Sequence, residues 1–351
     1  MEAFNDSDFK SQNSTTAKLF IVGILVIVCV VPSFFVWILL KERTNRQDEA
    51  RREITSKWGS NEIIAGPILS LPYDTATVDA QGLRHESSGV LNVLPQQLTH
   101  AATMDPEIRS RGIFDAIVYT AKIEGQGTFT LPDFQHTNIK ASSIQWDKAY
   151  IAIPISDTRG ITKEVGLQWN GSHILFEPGS KNTIIGESGI HAFVPVDPVK
   201  KSFNFAYTLD LRGSDQLEFL PLGSETKVDI KANWNSPSFT GAYLPNERKV
   251  SDGFSAHWLV SSFGRSYPQQ WVDRGVDPQN LPNSRFGVSL LHGVDFYTKT
   301  DRTIKYAVMF IAITFLAFFL FDILSKLRIH PFQYLFVGFA LVLFYLLLLA
   351  F

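Results

Sequence analysis

Apolar and polar positions along this chain follow three patterns. Leu19 to Leu40, LFIVGILVIVCVVPSFFVWILL, is 22 residues without a charge. A helix rising about 1.5 Å per residue crosses the roughly 30 Å hydrocarbon layer in that length. The run exceeds the usual ~7–15-residue apolar stretch of a secretory leader and no small-x-small site follows it, so it reads as a retained span. KERTNRQDEARREITSK continues it in good helix formers, with Glu42/Arg46 and Asp48/Arg52 spaced i,i+4. One helix is therefore predicted over residues 19–40 and on to about 57, with Pro32 as its kink position. Two further apolar runs, 306–325 and 332–351, predict two more spans.

Between these runs the helical period gives way to a period of two. FNFAYTLDLRG places Phe203, Phe205, Tyr207, Leu209 and Leu211 on one face, with Asn204, Thr208, Asp210 and Arg212 on the other. TKVDIKANW repeats this with Val228, Ile230, Ala232 and Trp234 against Lys227, Asp229, Lys231 and Asn233. Such alternation marks half-buried strands. GVLNVLP, GIFDAIVYTAKI, AYIAIPIS, HILFEPG and GIHAFVPV are shorter candidates, punctuated by turn formers in LPDF, NGS, EPGS and SDG. No long helical pattern intervenes, so an antiparallel, sandwich-like architecture is expected over residues 58–300, as one sheet pair or two packed subdomains.

The third pattern is a polar island, residues 326–331, between the last two apolar runs. It suits a tight helix–helix connection, with Pro331 in the first turn of the next helix. Its Lys326 and Arg328 fit the cytoplasmic bias of short basic loops. That orientation puts residues 1–18 in the cytoplasm and the strand-rich domain outside it. Residues 41–57, with six basic and four acidic side chains, pull weakly the other way. Asp322 lies about one turn before the island, four residues from Lys326, and an interfacial ion pair is the reading that outweighs a proton relay.

Composition narrows the functional classes. Charged residues are only 19% and the net charge is −2, with no long basic block, so nothing points to nucleic acid. The single cysteine, Cys29, excludes an intramolecular disulfide and any multi-cysteine metal site. No pair among the eight histidines has zinc-motif spacing. GQGTFT lacks the third glycine of a dinucleotide loop. Ser224 and Lys227 match Ser-x-x-Lys, but in a strand their side chains point to opposite faces. Asn170-Gly171-Ser172 needs no reading beyond a turn. No catalytic set, cofactor site or metal site emerges, and a non-enzymatic protein is expected.

Several longer blocks resemble one family. EITSKWGSNEIIAGPILSLPY (53–73), SDTRGI (156–161), FEPG (176–179), SPSFTGAYLPNERKVSDGFSAHW (236–258), FGVSLLHGVDFYTKTDRTIKYAVMFIAITFLAFFLFD (286–322) and RIHPFQYLFVGFALVLFYLLLLA resemble, in order, the CreD family of bacterial inner-membrane proteins. The resemblance implies a cytoplasmic N-terminus, one span, a large periplasmic domain and a group of C-terminal spans, with more membrane helices after the third, where this sequence stops at Phe351. It also implies a role in cell-envelope integrity, colicin tolerance and a two-component-controlled envelope response, with no established enzymatic activity.

The expectation is thus a multi-pass inner-membrane protein: a mainly-β, sandwich-like periplasmic domain inserted between one N-terminal and two C-terminal transmembrane α-helices. Its partner would be an envelope component (protein, lipid or peptidoglycan) besides the bilayer itself, with self-association left open. The 236–258 block offers Phe239, Tyr243, Arg248, Phe254 and Trp258 as a partner-binding surface, although Phe254, Ala256 and Trp258 alternate like a buried strand face, the weightier reading. The alternative function is a transporter or channel component, with Asp322 and Lys326 as its intramembrane charges.

Overall fold

The computed structural model describes residues 6–78, 84–132, 134, 139–181, 188–273, 275, 280–291, 296–325 and 330–350. Two compact units divide the chain: residues 50–293 form one, and residues 1–49 with 294–351 form the other. The loop carrying Lys326 and Arg328 lies outside the described residues.

The helical unit holds most of α1 (Asp6–Trp58) with α3 (Phe296–Lys305), α4 (Ala307–Ser325) and α5 (Pro331–Ala350). α1 runs unbroken through Pro32, and the Ser33 hydroxyl donates to the Cys29 carbonyl at 3.1 Å beside it. Val22, Cys29, Ile311, Phe315, Phe319, Tyr334 and Val342 pack together inside the unit. Gly338 lets these helices approach, since a Cβ there would stand 2.4 Å from Cys29 Sγ and 2.8 Å from Phe315. Phe20, Ile27, Phe35, Phe310, Phe321 and Phe336 point outward and exposed. Apolar faces of that kind suit hydrocarbon rather than water. Among the described residues two helical stretches, Leu19–Trp58 and Thr300–Leu324, are long and apolar enough to cross a bilayer, and a shorter apolar helix covers Phe332–Leu347. The domain expected over residues 58–300 includes the start of a helix at its end: residues 296–305 are helical and break from α4 only at Tyr306.

Among the described residues the strand unit contains three sheets. The largest has eight strands in the spatial order β15 (Glu247–Ser251), β16 (Gly253–Ser261), β13 (Glu225–Ala232), β4 (Gln97–Arg111), β5 (Phe114–Thr130), β11 (Ser202–Ser214), β7 (Gly166–Trp169) and β8 (Ser172–Leu175). A six-stranded sheet runs β17 (Gln270–Val272), β3 (Arg84–Val93), β2 (Ile68–Val78), β6 (Tyr150–Pro154), β10 (Gly189–Phe193) and β9 (Glu177–Pro178). A four-stranded sheet runs β1 (Glu62–Ile64), β12 (Gln216–Phe219), β18 (Phe286–Leu290) and β14 (Pro237–Gly241). One helical turn, α2 (Asn280–Asn283), precedes β18.

Most neighbours are antiparallel, as the turn-punctuated sequence predicts, but β1/β12 and β13/β4 are parallel. Both parallel pairs join segments more than 100 residues apart, a pairing that local pattern cannot announce. The alternation on β11 holds throughout: Phe203, Phe205, Tyr207, Leu209 and Leu211 are all buried. On β13 it holds for Val228 and Ile230, while Ala232 is half-buried at the strand end and Trp234 lies beyond it. The four-stranded sheet packs on the inner face of the large sheet. Phe219 lies 4.9 Å from the His100 ring, Phe286 5.7 Å from Trp258, and Phe239 6.0 Å from Phe254. A single apolar core therefore joins the sheets. Gly125, within GQGTFT, makes room in it, since a Cβ there would lie 2.3 Å from the Tyr207 ring. Asn170 and Gly171 both take positive φ, 47° and 87°, in the two-residue turn joining β7 to β8.

Candidate functional site

The predicted partner surface divides between core and solvent. Trp258 is 0% exposed and Phe254 5%, both on the inner face of β16. They are core residues, because strand alternation sends Ser255, His257 and Leu259 outward instead. Phe239 is half-buried and packs edge-on against both. Tyr243 is also half-buried, with its hydroxyl donating to the Gly264 carbonyl at 2.5 Å and its ring edge-on to Phe286. Arg248 alone is fully on the surface, on the edge strand β15, with its guanidinium 5.9 Å from the Phe239 ring.

The outward face beside Arg248 is organised by register. Across the large sheet one row of side chains is Glu247, His257, Asp229, Ala101, Glu124 and Thr208. Two residues along each strand the next row is Lys249, Ser255, Lys231, Thr103, Lys122 and Asp210. Rows so related are about 7 Å apart and neighbouring strands about 4.8 Å. The small residues between the charges leave an open concavity of about 750 Å³ lined by the first five members of each row and by Arg248. Some side chains here already have partners: His257 Nδ1 lies 2.8 Å from Asp229, Lys122 2.5 Å from Glu124, and Lys163 takes Asp210 at 3.0 Å. Among the described residues Glu247, Lys231 and Lys249 have no ion-pair partner. A continuation of the face holds Thr99, Gln126, Gln168 and His173.

A second polar concentration lies where the end of α1 meets the sheets. Asp157 accepts from Arg159 Nε at 2.9 Å and Nη2 at 2.7 Å, from the Arg159 backbone N–H and from the Ser60 hydroxyl. The Arg159 guanidinium also donates to the Ser56 carbonyl at 3.1 Å, in the last turn of α1. This pairing holds the Asp157 carboxyl at about 2, below its ordinary 3.8. Arg51 Nη2 meets Asp215 at 2.6 Å, and Arg111 meets Glu53. Trp58 donates its indole N–H to the Tyr119 carbonyl, with the Arg109 and Arg212 guanidinium carbons 3.6 and 4.5 Å from its ring centre. Gly59 and Gly160 both press on one carbonyl, Arg212 O, where any Cβ would clash at 2.5 and 2.2 Å. Residues 50–58 thus belong to the strand unit, whose boundary lies at Ala50 rather than residue 58.

Glu62 sits at the centre of that junction and is 0% exposed. Its Oε2 lies 2.8 Å from the Ser156 hydroxyl and accepts the Asp157 backbone N–H at 3.2 Å. The same hydroxyl lies 2.8 Å from the Asn61 carbonyl, and its one proton serves only one of these acceptors. Glu62 Oε1 has no hydrogen-bond partner among the described residues. Burial, chiefly, pushes its carboxyl up to about 8. His100 is likewise buried, its ring tilted at 33° against Phe219, and held neutral with its pKa lowered to about 4 by burial. Both are groups the fold encloses rather than presents. Sequence pattern does not single out Glu62, whose one signal is a charge at the start of the apolar run EIIAGPILSL.

Among the described residues no group of three or more His, Cys, Asp or Glu could hold a metal ion. In the helical unit Asp322 is 4% exposed; its expected partner Lys326 lies outside the described residues.

Comparison with known proteins gives a consistent identity. The profile of the family described as "Inner membrane protein CreD" matches residues 14–351. The Escherichia coli (strain K12) inner membrane protein CreD is 31% identical over 332 residues, covering 93% of this chain and 72% of the relative. The chain therefore belongs to the CreD family of inner membrane proteins.

Proposed function

We propose that this protein is a multi-pass inner-membrane protein whose strand-built unit lies in the periplasm and supports cell-envelope integrity by recognition, without catalysis. The observation that carries the reading is where the polar groups are spent. The strongly perturbed ones, Glu62, Asp157 and His100, are consumed in buried structural contacts. The open concavity of the large sheet is lined instead by rows of ordinary charged side chains and small residues. Ordered charge without a reactive convergence suits binding. Colicin tolerance and two-component control follow from the family resemblance. The short basic island at 326–331 supports the periplasmic orientation.

The test is complementation in cells lacking the chromosomal copy, read as resistance to detergent and large antibiotics. A Lys231→Glu/Lys249→Glu chain that reaches the membrane should fail to restore the barrier. Full restoration would remove the recognition face from the account, and a reporter inserted after Asp215 that works only in the cytosol would reverse the orientation. A second reading, transport through the helices, is favoured by the burial of Asp322. It requires that Asp322→Asn alter solute flux.

A further inference from the structure

The rows on the large sheet have an order that solubility alone does not require. Three alternate strands each present one acid and one lysine two residues apart: Glu247 and Lys249 on β15, Asp229 and Lys231 on β13, Glu124 and Lys122 on β5. β5 runs antiparallel to β13, through β4 between them, yet its pair is reversed in sequence, so all three acids share one row and all three lysines the next. The strands in between carry no acid and no lysine there: Ser255 and His257 on β16, the imidazole held against Asp229, and Ala101 and Thr103 on β4.

We propose that this face pairs with the same face of a second copy of the chain, about a two-fold axis running between the acid row and the lysine row. The inference rests on the recognition reading above and names the partner. Such an axis sets each strand against its own counterpart and exchanges the rows. Glu247 then meets Lys249 of the second copy, Asp229 meets Lys231, and Glu124 meets Lys122, each twice over, as an isologous interface demands. The three charges on this face that have no ion-pair partner among the described residues, Glu247, Lys231 and Lys249, all gain one. A uniformly twisted sheet maps onto itself under a two-fold lying in its plane, so right-handed twist does not oppose the fit. The open space over Ala101, Thr103 and Ser255, about 750 Å³, receives the long side chains of the opposing copy. Exposed ion pairs are individually weak. Anchoring in one membrane raises the effective concentration of both copies, which lets a weak, charge-matched interface form.

The experiment is a charge exchange in the full-length chain, with two tags, in lipid nanodiscs and in the native membrane. One variant is Lys122→Glu/Lys231→Glu/Lys249→Glu, the other Glu124→Lys/Asp229→Lys/Glu247→Lys. The wild type should co-purify with itself and show two copies per particle by photobleaching. Each variant alone should fall to one copy, and the two co-expressed should return to two, which also shows that both fold. A wild type that is monomeric overturns the proposal, as does self-association unchanged in either variant, or a mixture that does not restore pairing. Single copies that carry a bound foreign peptide or glycan on this face overturn it too. If pairing fails while Lys231→Glu/Lys249→Glu still impairs the barrier, recognition stands with a different partner. If neither changes, both readings fall.

Discussion

Asp157 and Arg159, two residues apart, close a two-pronged ion pair at 2.9 and 2.7 Å whose guanidinium also reaches the Ser56 carbonyl at the end of α1. A planar guanidinium can serve a carboxylate and a helix C-terminus together, which a lysine cannot do with the same geometry. The SDTRGI block therefore fastens the last turn of α1 to the sheets.

This pair makes a prediction in acid. The Asp157 pKa is lowered from 3.8 to about 2, so its contribution to stability is present above 3.8 and is lost as pH falls toward 2. Asp157→Asn should lower the melting temperature at neutral pH and lose part of the decline between pH 4 and 2. Thermal melts of the full chain in detergent across that range decide it, and parallel curves for the two proteins would contradict the assignment.

Glu62 predicts the opposite slope. Its folded pKa, about 8, exceeds its ordinary 4.5, so its neutral form is what the fold prefers. The advantage is complete below 4.5 and is lost as pH rises through 8. Glu62→Gln, which stays neutral, should match the wild type near pH 5 and exceed it at pH 8.5 by on the order of 3 kcal/mol. Chemical denaturation at the two pH values measures the difference. Equal stability at pH 8.5 would mean that Glu62 ionises inside the fold at little cost.

Two residues of the 236–258 block should separate sharply. Trp258 fills the core against Phe286 and Phe239, so Trp258→Ala should cost about 3–5 kcal/mol. Arg248 is on the edge strand, and Arg248→Ala should stay within about 0.5 kcal/mol. Urea titrations of both variants check this. A Trp258→Ala protein of native stability that has lost a partner would restore Trp258 as a contact residue.

The sequence was most readable where each strand carried its own pattern. β11 and β13 showed their inner faces in clean alternation, and the turn at Asn170-Gly171 was visible from composition. β4 was not, because its inward positions are Leu98, His100, Ala102 and Met104, and a histidine and an alanine blur the apolar period. The third sheet and the parallel pairs stayed hidden because they join distant segments. The junction was invisible for the same reason: Ser60 and Asp157 meet across 97 residues, Glu62 and Ser156 across 94. The order on the outward face of the large sheet exists only once five strands are in register, although the alternation Glu225, Lys227, Asp229, Lys231 already stood in one of them.

Close approach at Gly338 gives the last prediction, within the helical unit. A methyl group at this position would lie 2.4 Å from Cys29 Sγ and 2.8 Å from Phe315, so Gly338→Ala should cost about 1–3 kcal/mol through overpacking. The sulfur is the nearer obstacle. Cys29→Ala removes it, and alone should be mildly destabilising because it leaves a small void among Val22, Ile311 and Phe315. In the double variant the new methyl fills part of that void, so the two effects should couple and the pair should be more stable than the sum of the singles predicts. Unfolding of the full chain in mixed micelles, followed by helical circular dichroism, supplies the four values of the cycle. Strict additivity would show that the two positions do not touch, and that these helices come together without the contact described for them.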